Sequence, residues 1–293
     1  MTVEPSRKLR CRAISDGDLD AVAKLLSEGF KGRGLGYWRA GLQRMSRRDV
    51  PEGLPRYGYV LDCGGVIVGT LLLIASRWDN VEAGAVFANV AAWYVDPAYR
   101  GSAQLLASMA LRNKAVTYLN VTPAPHTWPI VESQGYRCYC RGLFFALAPL
   151  APGVPGVHVE ELQPAPGADI AALPEFAMLR RHAGYGAIVL VCRADDGLHP
   201  FVFQPFRIRS GRLWMPGVLA IYARSPDGLV RFAGPLGRYL LRRGLPIIAM
   251  DADGPVAGLR GFFTGKRGRK YCKGPRTPRH CDLADTEFAV FGI

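Results

Sequence analysis

Tyr94-Val95-Asp96-Pro97-Ala98-Tyr99-Arg100-Gly101 closes an apolar run, 87–95, and opens a helical pattern that continues to about Lys114. Asp96-Pro97 ends the run as a strand, because proline gives no hydrogen bond to a ladder and restricts the residue before it. The stretch therefore reads strand, turn, helix. Backbone N–H groups between a strand end and a helix start, backed by the helix dipole, suit an anion. Arg100 can add a charge-assisted bond.

Upstream, an alternating strand at 9–14 ends at Ser15-Asp16-Gly17-Asp18. A helix follows, with Leu19, Val22, Leu25 and Leu26 on one face. After Gly32, Gly34 and Gly36 comes a second amphipathic run through Trp38, Leu42 and Met45. Strands at 57–62 and 66–75 flank Cys63-Gly64-Gly65, a hairpin signal. Downstream lie a strand at 115–121, a short helix at 127–134 and a strand at 136–146. The proline-rich stretch 148–156 reads as a linker.

The second half repeats the scheme: strand 158–162, helix 173–183, a strand pair 187–194 and 200–208, strand 213–223, helix 228–243, strand 245–251 and a closing segment 286–292. Val90-Ala91-Ala92-Trp93-Tyr94 matches Val218-Leu219-Ala220-Ile221-Tyr222, and each is followed by a proline-containing turn and a helix. The expectation is an α/β (α+β) chain of two tandem domains, 1–150 and 151–293. Each would be a mixed, mainly antiparallel sheet flanked by helices.

Of 293 residues, 49% are hydrophobic, enough for a sizeable core, and no window offers the apolar length of a membrane span. The first residues show no apolar signal region, so a cytoplasmic protein without a membrane partner is expected. Seven scattered cysteines fit reduced thiols in such a compartment, and no four-ligand metal site can be assembled from their spacing. The formal charge is +13, and residues 260–280 hold eight Lys and Arg without one acid. Lys266, Arg267, Arg269 and Lys270 then form a basic loop suited to an anionic partner.

Residues 93–136 resemble the GCN5-related N-acetyltransferase superfamily. The strand ending Val95-Asp96-Pro97, the Arg100-Gly101 pair and the helix after it resemble the family's entry into its pyrophosphate loop. Ile130-Val131-Glu132-Ser133-Gln134-Gly135-Tyr136 is similar to its late signature. With the element order, the resemblance covers residues 9 to about 147. It implies acyl transfer, most simply acetyl, from acetyl-CoA or another acyl-CoA to a small-molecule or peptide amine, without a metal. Arg100, Gly101, Ser102 and Ala103 would hold the pyrophosphate. The strand through Tyr94 and Val95 would hold the pantetheine arm.

Departures from the family pattern are equally specific. The loop continues Ser102-Ala103-Gln104-Leu105 where the family has further glycines, and Val131 and Ala124 stand where it often has tyrosine and asparagine. Neither 87–95 nor 115–121 contains a carboxylate to accept the amine's proton. His126 is the substitute base, since imidazole titrates near neutral pH. Tyr94 is the other candidate for the chemistry, with Asn89 and Glu82 as contacts for substrate. The second half lacks the phosphate-loop pattern at Ala223-Arg224-Ser225-Pro226 and is expected to be non-catalytic. The rival reading is an acyltransferase fold without activity that binds nucleic acid, or another anion, through 260–280.

Overall fold

Apolar and basic residues alternate along Leu9–Ala13, which forms an edge strand, β1, antiparallel to Gly58–Cys63 (β2). The description comes from a computed structural model and covers residues 9–78, 84–210 and 213–292. Arg10 and Arg12 project from one face of β1 onto the buried Asp62 carboxylate at 3.3 and 2.8 Å. Helices Leu19–Gly29 (α1) and Leu35–Ser46 (α2) bury the predicted stripes Val22, Leu25, Leu26 and Trp38, Leu42, Met45. Val66–Arg77 (β3) and Val86–Val95 (β4) continue the antiparallel meander. Helix Ala103–Ala110 (α3) then crosses over to Thr117–Asn120 (β5), which runs parallel to β4. The order β1-β2-β3-β4-β5 results.

The next elements are Trp128–Ser133 (α4), Arg137–Cys140 (β6) and Gly142–Ala146 (β7). The strand expected over 136–146 is thus broken at Arg141, whose N–H donates to Asp253 Oδ1 at 2.8 Å. His158–Glu161 (β8), Ala168–Ala171 (α5), Phe176–Gly184 (α6), Ile188–Ala194 (β9), Gly197–Ser210 (β10), Leu213–Ala223 (β11), Pro226–Leu241 (α7) and Ile247–Ala252 (β12) follow. Gly261–Thr264 (β13) and Lys270–Lys273 (β14) come next, and Glu287–Val290 (α8) is the last helix. The second sheet has the order β13-β7-β12-β11-β10-β9-β8, with β11 and β12 parallel.

Contacts divide the chain into two units. One comprises Met1–Val121, Cys272–Thr277 and Asp285–Phe291; the other comprises Thr122–Tyr271, Pro278–Ala284 and Gly292–Ile293. In the second unit the apolar face of α7 (Leu229, Phe232, Leu236, Leu240) packs on Phe144, Phe201, Phe203, Val218, Ile248 and Met250. That is the amphipathic burial that fixes most helices in proteins.

The stretch 148–156 is not a free linker. Ala148 and Ala151 are buried, and Arg238 Nη1 donates to the Ala151 carbonyl at 3.1 Å. Gly234 and Gly237 let α7 approach this backbone so closely that an added Cβ at either would collide with it. Among the described residues, no helix is long and apolar enough to cross a membrane.

Candidate functional site

β4 pairs with β5 only through residues 87–89, against 117–119. Beyond that point β4 continues to Val95 with no β5 partner, so the two strands part. Its pairing with β3 also shifts: Leu72 faces Ala91 and Thr70 faces Tyr94. Two residues, Ala92 and Trp93, thereby answer one, Leu71, and Ala92 takes φ 46°. Such a bulge bends a strand and re-aims its groups.

Asn89 sits where the strands part. Its Nδ2 donates to the carbonyls of Val90 and Leu119 at 3.2 and 3.3 Å, and its Oδ1 accepts the Glu287 N–H at 2.7 Å. The side chain is 1% exposed. Its donors and its acceptor are therefore used within the protein, so the expectation that Asn89 contacts substrate gives way to a structural clasp. The sequence could not show this, because the partner N–H lies 198 residues away.

At the far end of β4, Asp96 Oδ1 accepts the Ala98 N–H at 2.9 Å and the Asp96 carbonyl accepts that of Tyr99 at 2.8 Å. Residues Pro97–Ser102 form a 3-10 turn that leads directly into α3. The Ala103 N–H donates to the Arg100 carbonyl, so this amide, expected to face a phosphate, is spent within the turn. Ser102 and Ala103 are half-buried, while Arg100 and Gly101 are exposed. No described ion pair involves Arg100, and a Cβ at Gly101 would meet nothing within 4 Å.

Tyr94 is half-buried, with its ring against Gly29, where a Cβ would collide with it, and 6.1 Å from the Phe30 ring. Val95 is buried opposite Gly69 and can offer a ligand only its backbone. His126 is exposed in the turn Pro125–Thr127, which is braced by Thr127 Oγ1 donating to the Ala124 carbonyl at 2.7 Å. It belongs to the second unit, whereas Tyr94 and Arg100 belong to the first. Glu82 lies outside the described residues.

The basic stretch 260–280 differs from the loop expected. β13 pairs antiparallel with β7, from Gly261 opposite Ala146 to Thr264 opposite Leu143. Lys270 is buried and its Nζ lies 2.6 Å from Asp251 Oδ1. Burial is the largest influence and pulls the ammonium's pKa down, but the Asp251 carboxylate together with Cys140 and Cys281 outweighs it, and the net shift is upward. The Arg269 guanidinium lies over the Trp128 ring, 4.2 Å from its centroid. Only Lys266 and Arg267 of the four expected anion contacts are exposed. The run expected to meet an anionic partner has Lys270 paired with Asp251 inside the fold instead.

The second sheet has a parting of its own. β11 and β12 pair only through 217–219 and 247–249. Here residues 281–283 of the same chain enter: Ala223 N–H donates to the Cys281 carbonyl at 2.9 Å, and Leu283 N–H to the Ile221 carbonyl at 2.7 Å. Tyr222 and Asp282 form a bridge, and all three inserted residues are buried. Arg224, just past β11, is held by Glu175 at 2.6 and 3.0 Å. Ser225 Oγ accepts the Gly228 N–H at 3.0 Å and caps α7. In this unit the gap, the arginine and the helix start are all occupied by the protein itself.

No protein-family model and no curated protein matches the chain. Solved structures do. A GCN5-related N-acetyltransferase from Anabaena variabilis ATCC 29413 aligns at TM-score 0.59 and 13% identity, over 90% of this chain and 72% of that one. A putative acetyltransferase from Pyrococcus horikoshii aligns at 0.55 and 12%, over 97% and 94%. A GCN5-related N-acetyltransferase from Sphaerobacter thermophilus aligns at 0.53 and 15%, over 96% and 100%. With its bulged fourth strand parting from the fifth above a strand–turn–helix, the chain has the GCN5-related N-acetyltransferase fold.

Proposed function

We propose that this chain is an acyl-CoA-dependent N-acyltransferase, acetyl-CoA being the simplest donor, and that the first unit carries the chemistry. One observation supports this above the rest: β4 leaves β5 after Asn89 and runs unpaired on that edge to an exposed Arg100-Gly101 turn at the start of α3. An extended pantetheine arm can add to such an edge as a strand would. Its diphosphate would meet the Arg100 guanidinium, the backbone of Gly101 and Ser102, and the positive end of the α3 dipole. Ala103 would give the ligand room rather than a donor.

The acceptor is a small-molecule or peptide amine in its neutral form. Its lone pair attacks the thioester carbonyl, a C–N bond forms and the C–S bond breaks. CoA leaves as a thiolate, which takes up a proton as the amine loses one. β4 and β5 supply no carboxylate or imidazole, so water carries the proton. Tyr94 would contribute through its half-buried ring and hydroxyl along β4.

The second unit is proposed to be non-catalytic, because residues 281–283 fill the gap where β11 and β12 part. The nucleic-acid reading loses support with Lys270 inside the fold and Arg269 on Trp128. Calorimetry with acetyl-CoA tests the proposal. Saturable one-to-one binding is expected; no heat and no protection of the 96–103 turn from proteolysis would remove it.

A further inference from the structure

Three side chains with different donor atoms converge in the second unit. Cys140 ends β6, Asp253 follows β12 and His280 precedes the inserted residues 281–283. A sulfur, a carboxylate oxygen and an imidazole nitrogen from these residues all lie within 4.8 Å of one another. We propose that Cys140, Asp253 and His280 form a binding site for a divalent transition cation, with Zn²⁺ the natural occupant.

Donor chemistry selects the ion. A thiolate, an imidazole and one carboxylate suit Zn²⁺ and its neighbours and do not suit Mg²⁺ or Ca²⁺, which take oxygen ligands in larger number. Tetrahedral bonds of about 2.0–2.3 Å put ligand atoms roughly 3.5 Å apart. His280 Nε2 and Asp253 Oδ2 are already 3.8 Å apart. The backbone has pre-set the carboxylate: Asp253 Oδ1 accepts the Arg141 N–H at 2.8 Å, which leaves Oδ2 for the metal.

Protons and charges balance. On coordination the Cys140 thiol gives its proton to solvent. His280 Nε2, 2.8 Å from the Tyr139 carbonyl, exchanges that hydrogen bond for a metal bond and keeps its proton on Nδ1. A dication with one thiolate and one carboxylate is neutral, which a half-buried site tolerates. The ionised groups deeper in, Lys270 and Asp251, neutralise each other at 2.6 Å. Three protein ligands leave a fourth position for water.

Position gives the site its purpose. His280 adjoins the residues that fill the gap between β11 and β12, while Cys140 and Asp253 stand at the ends of fixed strands. A bound ion therefore pins the inserted segment to the sheet it completes.

Cobalt titration of chelator-treated full chain is the test. One equivalent of Co²⁺ should produce a thiolate-to-cobalt charge-transfer band and tetrahedral d–d bands, and Zn²⁺ should erase them. Cys140→Ser should abolish the charge-transfer band, and Cys138→Ser should leave it intact. Cys140 is buried, so the exposed-side variants Asp253→Asn and His280→Gln keep the test independent of folding. Each should weaken Co²⁺ by more than the roughly tenfold that loss of a supporting residue costs, with an unchanged circular dichroism spectrum. Absence of the band in wild type, its survival in Cys140→Ser, or unchanged affinity in both His280→Gln and Asp253→Asn overturns the proposal.

Discussion

Lys270 Nζ lies 2.6 Å from Asp251 Oδ1, and neither side chain is more than 1% exposed. An ion pair so far from water holds because each charge answers the other. Removing one partner strands the other in the interior. Lys270→Met is expected to cost about 3–5 kcal/mol, whereas Lys270→Met with Asp251→Leu should return close to wild-type stability. Urea denaturation of the two variants checks this; equal losses in both would contradict it.

Arg100 lies in the turn between β4 and α3 and Arg224 directly follows β11, and of the two only Arg224 is held by a described carboxylate, that of Glu175. Arg100→Ala should weaken acetyl-CoA binding by roughly 10- to 100-fold, the worth of one or two charge-assisted hydrogen bonds. Arg224→Ala should leave that affinity unchanged and lower the melting temperature. Calorimetry and thermal denaturation on the same preparations separate the two outcomes.

Asn89 joins β4, β5 and the start of α8 by hydrogen bonds at 3.3 Å or less. Asn89→Ala leaves buried polar groups without partners and is expected to cost about 1–3 kcal/mol. The Glu287 amide should then exchange with deuterium faster than in wild type, while the core amides of β3 stay protected. Unchanged Glu287 exchange would show that the clasp does not hold α8.

Arg12 bonds Asp18 through both carboxylate oxygens, at 2.6 and 2.8 Å, and Asp62 at 2.8 Å. Its guanidinium holds both carboxyls below their ordinary range, with the Gly65 N–H assisting at Asp62 and Ser15 at Asp18. The folded pKa values lie below the unfolded ones, so the contribution is whole above about pH 4 and fades as pH falls through the folded values. Arg12→Leu should lower the urea midpoint clearly at pH 6, and the gap from wild type should narrow at pH 3. A gap that widens in acid would reverse the sign of this account.

Local patterns were legible wherever neighbours in sequence decide the outcome. Val22, Leu25 and Leu26 declare their helix face, Cys63-Gly64-Gly65 its hairpin, and Asp96-Pro97 the end of β4. The element order of both halves, and the likeness between β4 and β11, followed from those signals. What stayed hidden depends on partners far along the chain. Lys270 looks free to meet an anion until Asp251 is beside it, and Asn89 looks available until Glu287 reaches it. Gly142 allows the β7 backbone to come close to Thr264, which turns part of an apparent loop into β13. The left-handed Ala92 has no signature either, since alanine has no preference for that conformation.

Residues 281–283 complete hydrogen bonding along β11, yet they are synthesised well after β12. A nascent chain that has emerged only as far as residue 270 therefore carries an unsatisfied strand edge in an otherwise assembled sheet. Final closure must wait until residues 281–283 have been translated, which makes folding of this unit depend on a long sequence separation. Until then the bare edge is an invitation to the same edge on another ribosome's product, and chaperone dependence would be greatest in that interval.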